Sequence, residues 1–368
     1  MNLSLSNSEL VSLRALIKTK DENIFASEVI LDYLRNHNRD LNKTFLRKNK
    51  EKALYIDEKA VRDVFARFIA GMAGFRSPSE MKRHGFGYRL NEVDAPSFLS
   101  NPYYQNVKFK NVKHGRWELK YLSYQPFEVF AFNDLLVDET SFQETTRLGY
   151  FIDEFPFPVV SDDEGVWMSV TPHEVETMRK ASEDVNGNVL VLGLGLGYFP
   201  YLIAQKKEVN KITIIETDEE SISLFNKYLL PQFPNKEKIQ IIHADAFNYV
   251  QENLSNGNFT YCFVDLWRSV DDGLPLFINI KKYEKLASDT KFIYWIEQSL
   301  LAMIRRYVIT LFQESLEGLS AKDYQKAKTE EDKIFNQLYA KIGGLTFDSF
   351  DKIKRFLSDE SLNNLLKQ

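Results

Sequence analysis

Apolar positions recur at helical spacing through the first eighty residues. Ser6-x-x-Glu9 has the form of a capping box, and Leu10, Leu13 and Ile17 follow it on one helix face. A second stripe runs through Ile24, Phe25, Val29, Ile30 and Tyr33. A third, Val61, Phe65, Phe68 and Met72, stops at Gly74 near Ser77-Pro78. These stripes predict the core faces of a small helical subdomain over residues 1–82. From about His84 to Met168 the texture changes to aromatic and β-branched runs punctuated by Asn, Pro and Gly, notably Val107 to Val112, Trp117 to Tyr124 and Phe127 to Phe132. That texture predicts a set of antiparallel strands, a β-rich subdomain over residues 83–170. Phe155-Pro156-Phe157-Pro158 is expected to be an extended linking arm, because each proline disfavours helix in its predecessor. A helix should begin at Thr171, with Pro172 at its first position and Glu174 three after the cap.

From Asn188 strand and helix signals alternate, as in a parallel sheet covered on both faces. The predicted strands are Val189 to Leu192, Lys211 to Ile215, Ile239 to Ile242, Phe259 to Val264 and Phe292 to Ile296, within a domain over residues 171–316. After Gln298 the pattern is all helical, and residues 317–368 read as a helical C-terminal extension. The fold class is therefore α/β.

Composition removes several alternatives. The 368 residues suggest two to three folding units, and 44% hydrophobic with 27% charged residues is the balance of a chain with a sizeable core. The net charge of −5 is spread along the chain, so nothing demands nucleic acid or anionic lipid; Arg47-Lys48-Asn49-Lys50 reads as solvated surface. One cysteine, Cys262, excludes an internal disulfide or a thiolate zinc cluster, and its mid-strand position suits an inert buried thiol. The five histidines form no pair at i, i+3 or i, i+4, so no metal site is expected from them. The longest apolar stretches are too short or too interrupted to span a membrane, and the first residues lack a secretion signal; the expected location is the cytoplasm.

The strongest chemical signal is Val189-Leu-Val-Leu-Gly193-Leu-Gly195-Leu-Gly197, a buried strand running into a glycine turn and a helix. Such a turn lets a ligand approach backbone N–H groups. The next strand ends in Glu216, at the distance expected for an acid that binds ribose hydroxyls, and the third ends in His243-Ala244-Asp245-Ala246. The spacing is G-x-G-x-G, with Tyr198 where a dinucleotide fingerprint needs its third glycine. An adenosyl ligand other than NAD is favoured.

On these residues the region from about Thr171 to Phe312 resembles the class I S-adenosylmethionine-dependent methyltransferases, and within them the spermidine synthase branch. The resemblance implies a Rossmann-like doubly wound methyltransferase sheet with S-adenosylmethionine as cofactor. It places Gly193, Leu194, Gly195 and Gly197 at the methionine and ribose part, Glu216 with Thr217 at the ribose, Asp245 with Ala246 at the adenine and Asp265 beside the donor. That branch also carries an N-terminal strand domain. Two departures count against aminopropyl transfer: Leu196 stands where the branch has an acid inside the turn, and Arg268 stands in the stretch Asp265-Leu-Trp-Arg268 where it has a second acid. Glu297-Gln298 after the fifth strand only loosely imitates the metal ligands of catechol-type enzymes, its side chains being one carbon too long, so no metal is expected.

The expected function is S-adenosylmethionine-dependent methyl transfer, with an aminopropyltransferase-like enzyme and a non-catalytic adenosyl-cofactor-binding protein as alternatives. Asp265 and His173 are the candidate catalytic groups, needed only if the acceptor must lose a proton. His173 and His243 each also admit a purely structural role, and Trp267 reads equally as acceptor-pocket lining or packed aromatic. The expected partner is a small-molecule acceptor, without membrane or nucleic acid, and a homodimer is a compatible assembly. Phe155 to His173 is expected to wall the acceptor cleft, through Trp167 and Met168.

Overall fold

Ser6 caps the first helix as its spacing predicts: its hydroxyl accepts the Glu9 N–H at 3.4 Å, and the Glu9 carboxylate accepts the Ser6 N–H at 2.9 Å. The computed structural model describes residues 1–50, 55–318 and 329–368. The first two apolar stripes belong to one helix, Asn7–Asn36, because the polar stretch between them holds neither glycine nor proline. Its two ends serve different cores. Leu13 and Leu16 enter the main core, whereas Ala26, Ile30 and Tyr33 enter a second one with Val61, Phe65 and Ile69 of the helix Glu58–Met72.

That second core is shared with strands. Leu90, Val129, Leu148 and Tyr150 pack into it from a four-stranded sheet. The expected antiparallel set needs correction here, since Tyr88–Glu92 pairs in parallel with Glu144–Tyr150. The run Val107 to Val112 is also mostly not strand. Val107 follows the short helix Pro102–Asn106 and, with Phe109, is buried by packing, while only Val112 joins the strand Val112–His114. Aromatic and β-branched content reports burial as well as strand, and here burial decides.

Phe155-Pro156-Phe157-Pro158 is not a linking arm. It opens the strand Phe155–Asp162, which pairs antiparallel with Trp117–Tyr124 on one side and with Gly165–Ser169 on the other. The sheet tolerates the prolines for a geometric reason. The Pro158 carbonyl accepts the Val170 N–H at 3.0 Å, so the missing proline donors face the Gly165–Ser169 side, where pairing starts only at Val159.

The second half of the chain forms a five-stranded, all-parallel sheet: Gly187–Leu192, Val209–Glu216, Ile239–His243, Tyr261–Val264 and Lys291–Tyr294. Numbered in that order, the strands lie 3-2-1-4-5. The order reverses between the first and fourth strands, and ligands of such sheets bind beyond the carboxyl ends at that switch. The fold is mixed α/β with several sheets, and this parallel one positions the candidate site.

Helix Glu297–Leu316 follows the fifth strand and ties the halves together. Its Arg306 pairs with the buried Glu144, and its Gln313 accepts from Lys20 at 2.9 Å. Beyond it come Glu330–Ile342, Phe350–Phe356 and Asp359–Lys367. The all-helical expectation also covers residues 319–328, which lie outside the described residues, and it missed one short strand: Thr346–Phe347 pairs in parallel with Asn2–Leu3. No helix among the described residues is long and apolar enough to cross a membrane.

Candidate functional site

The turn after the first parallel strand is built on backbone that only glycine adopts readily. Gly193, Gly195 and Gly197 have φ of 97°, 53° and 72°. A Cβ on Gly193 would lie 2.0 Å from the Asp265 carbonyl oxygen, so this glycine lets the first and fourth strand ends close on one another. A Cβ on Gly195 would lie 2.6 Å from the Met168 methyl, which places the Gly165–Ser169 strand directly over the turn.

Glu216 is held beside that turn by backbone donors. Its carboxylate accepts the N–H groups of Leu194 at 3.2 Å, Thr217 at 2.7 Å and Asp218 at 2.9 Å. Three donors use part of its acceptor capacity and fix its direction. Asp245 is exposed and caps the helix Ala246–Asn253, accepting the Asn248 N–H at 2.9 Å, and Ala246 is buried behind it. Thr217 is exposed, and its carbonyl accepts from the His243 ring at 3.0 Å, which gives that histidine a structural bond. Next in the chain, Asp218 pairs with Arg116 and accepts the Trp117 indole N–H at 3.1 Å. The β-rich layer thus docks beside the second strand's end.

Between the turn and the covering strand lies a cavity of about 250 Å³. All five residues from Gly193 to Gly197 line it, with Trp167 and Met168 above and Tyr198, Phe199 and Trp295 around. Of the Phe155 to His173 segment, only Val166 to Val170 reaches this lining. Glu216, Thr217, Asp245 and Ala246 sit along the same sheet edge outside it.

Two carboxylates reach the cavity. Asp265 follows the fourth strand, and Glu174 comes from the helix Pro172–Glu183; both are half-buried, and neither carboxylate has a hydrogen-bond partner among the described residues. Burial pushes the Asp265 carboxyl up to about 7. Burial, reinforced by the Asp265 charge, holds Glu174 well above the usual carboxylate range. Two acids that share one desolvated space are disposed to hold a single proton between them.

The placement of Glu174 was not anticipated. Its position three after Thr171 suggests a reciprocal cap, but Thr171 makes no side-chain cap bond; its hydroxyl meets the Tyr124 hydroxyl instead. The available signal was spacing: Glu174 and Met178 are i, i+4 and share the helix face that lines the cavity, beside the buried Val175. His173, one residue earlier, lies outside the cavity lining. Its ring meets Trp295 at 5.9 Å, its Nδ1 is buried without a partner among the described residues, and burial plus the Arg147 charge lower it to about 4. It is therefore neutral at physiological pH.

Other candidate groups are engaged elsewhere. Glu297 accepts from Lys281 at 3.0 Å and Gln298 donates to Asp359 at 2.7 Å. No cluster of three or more His, Cys, Asp or Glu side chains among the described residues could hold a metal ion. Cys262 is fully buried in the fourth strand, and that burial pushes its thiol well above its ordinary value. Trp267, 4% exposed, does line the cavity.

Trp167 is 40% exposed, meets Trp117 edge-on at 5.4 Å and carries the Arg268 guanidinium 4.2 Å above its ring. That exposure makes it a wall more than a seam. Trp167→Ala should cost under about 1 kcal/mol and leave thermal melting nearly unchanged, whereas truncating Trp117, 2% exposed, should cost about 3 to 5 kcal/mol. Equal losses of melting temperature in the two variants would place Trp167 in the core.

No protein-family model matches the chain, and no curated protein does. Among solved structures, spermidine synthase from Thermotoga maritima aligns at 17% identity and a TM-score of 0.29, covering 41% of this chain and 59% of that one. A spermidine synthase in complex with the transition state analogue AdoDATO aligns at 18% identity and 0.28, covering 41% and 58%. The chain thus spans less than two thirds of either structure's length, and the fold described above rests on its own sheet order.

Proposed function

We propose that the chain is an S-adenosylmethionine-dependent methyltransferase whose acceptor is an amine-bearing small molecule. One observation carries this reading: the Glu174 and Asp265 carboxylates face a cavity whose floor is the glycine turn. The residues present suit an adenosyl ligand. The three glycines of the turn bring no side chain of their own against a ligand, and Glu216, pre-oriented by three N–H groups, keeps lone pairs for ribose hydroxyls.

When bound, the sulfonium donor supplies an electrophilic methyl carbon. The chain's own residues must align the acceptor, exclude water and handle one proton. An ammonium acceptor is no nucleophile until it loses that proton. Asp265, pushed up to about 7, is matched to take it near neutral pH, while Glu174, held well above the usual carboxylate range, keeps its own proton, so the pair carries the single negative charge that draws the cation in. Trp167, Tyr198, Phe199 and Trp295 supply apolar walls and faces on which a cation can rest.

Aminopropyl transfer is the second reading. The acid pair favours it, because Glu174 supplies from another helix a carboxylate that Leu196 and Arg268 do not. Calorimetry with the full chain separates the two. S-adenosylmethionine and S-adenosylhomocysteine should bind at micromolar concentration, ahead of both decarboxylated S-adenosylmethionine and NAD. A win for the decarboxylated donor would install the second reading. Tighter binding of NAD would overturn the adenosyl-sulfonium assignment. Binding of S-adenosylmethionine without consumption in the presence of any amine would leave a cofactor-binding protein.

A further inference from the structure

The cavity holds a third charged group of opposite sign. Arg268 lies three residues after Asp265, is exposed, and lines the same cavity. Its backbone is fixed by a capping arrangement: its N–H donates to Asp272 at 2.9 Å, and Asp272 also accepts the Ser269 N–H at 2.8 Å. Its guanidinium carbon lies 4.2 Å over the Trp167 ring, and among the described residues the guanidinium makes no hydrogen bond or ion pair. A guanidinium held over an aromatic ring with no hydrogen-bond partner keeps its N–H fork available for a carboxylate. The buried Trp267 indole N–H, in the same wall, is a further donor without a partner among the described residues.

We propose that the acceptor is an amino-acid-like zwitterion, its ammonium held by Glu174 and Asp265 and its carboxylate by the Arg268 guanidinium. This deepens, and rests on, the amine-acceptor reading above. The charges fit such a ligand. An acid pair that keeps one proton presents one net negative charge in the half-buried part of the cavity, and Arg268 presents one positive charge at the exposed part. A diamine would set its second cation against Arg268, a like-charge contact that selects against it.

The test compares ligands that differ only at the far end. The full chain is saturated with S-adenosylhomocysteine and titrated calorimetrically with ω-amino acids of three to six carbons and with the diamines of matching length. At least one amino acid should bind about ten-fold or more tightly than its matched diamine. Arg268→Glu should reverse that order while leaving melting unchanged, because the side chain it replaces is exposed.

Three results would overturn the proposal: diamines binding as well as amino acids, an unchanged order in Arg268→Glu, or no amino acid binding across the series. Displacement of S-adenosylhomocysteine by the amino acid would overturn it too, since the zwitterion site would then be that of the donor's own amino-acid end. Failure of S-adenosylhomocysteine to bind would sink the adenosyl reading alone. The same titrations without it would still decide whether the cavity prefers a zwitterion.

Discussion

Asp265→Asn should raise the melting temperature at pH 8 and at the same time remove turnover. The stability effect has a definite sign. In the unfolded chain the Asp265 carboxyl titrates near its ordinary value of 3.8, and in the fold burial pushes it up to about 7. Below about pH 4 both states hold the proton and the group costs nothing. As the pH rises toward 7 the unfolded state ionises first, so stability is lost progressively, and above 7 the loss is complete. A shift of this size corresponds to about 4 kcal/mol, which water and relaxation around a half-buried group reduce to about 2. Asparagine carries no charge and escapes the loss. The gain should therefore be several degrees at pH 8 and close to zero at pH 4. Turnover should fall about 10²- to 10⁴-fold, the usual worth of a positioned base. A melting difference that does not change between pH 4 and pH 8 would show that Asp265 is not desolvated in the fold.

Burial without a partner makes Asp265 a cost to stability, which separates it from the acids that hold the fold together. Glu144 is as acidic in sequence and more deeply buried, yet it is matched by Arg306. Asp134 is half-buried like Asp265, but it accepts N–H groups from Gln298 at 2.9 Å and Ser299 at 3.1 Å. Glu174 and Asp265 have no such partners among the described residues. Leaving two carboxylates undersatisfied is tolerable where a ligand completes them.

The parallel sheet was legible along the chain because its three central strands are largely buried on both faces and so read as apolar runs, as in Val189 to Leu192. The glycine turn was legible because its positive φ values restrict residue choice at three positions. What was not legible depends on contacts distant in sequence. Tyr88–Glu92 pairs with a strand some sixty residues later, and no local pattern states whether such a pairing runs parallel. Pro156 and Pro158 suggested a linker because the side of the strand that lacks a partner is known only once the sheet is assembled. The acid pair is the same kind of case: Glu174 and Asp265 are ninety-one positions apart, and each has an innocuous local role as helix-start or strand-end acid.

Glu216→Ala should weaken binding of S-adenosylhomocysteine by about 10- to 150-fold, the 1.5 to 3 kcal/mol of a lost charge-assisted pair. The structure adds a second consequence. The carboxylate gathers the N–H groups of Leu194, Thr217 and Asp218, so removing it also leaves the Leu194 donor inside the glycine turn without its acceptor. Melting should fall too, by about 1 to 3 kcal/mol, if those donors stay unsatisfied. Glu216→Gln separates the two effects. Its amide oxygen can still accept from the turn, so melting should largely recover, while binding recovers only in part, because a neutral acceptor holds a hydroxyl less tightly than a carboxylate. The decisive measurement is calorimetric affinity in both variants beside their melting curves. Loss of melting with unchanged affinity would make Glu216 a brace for the turn and nothing more, and the adenosyl ligand would have to be held without it.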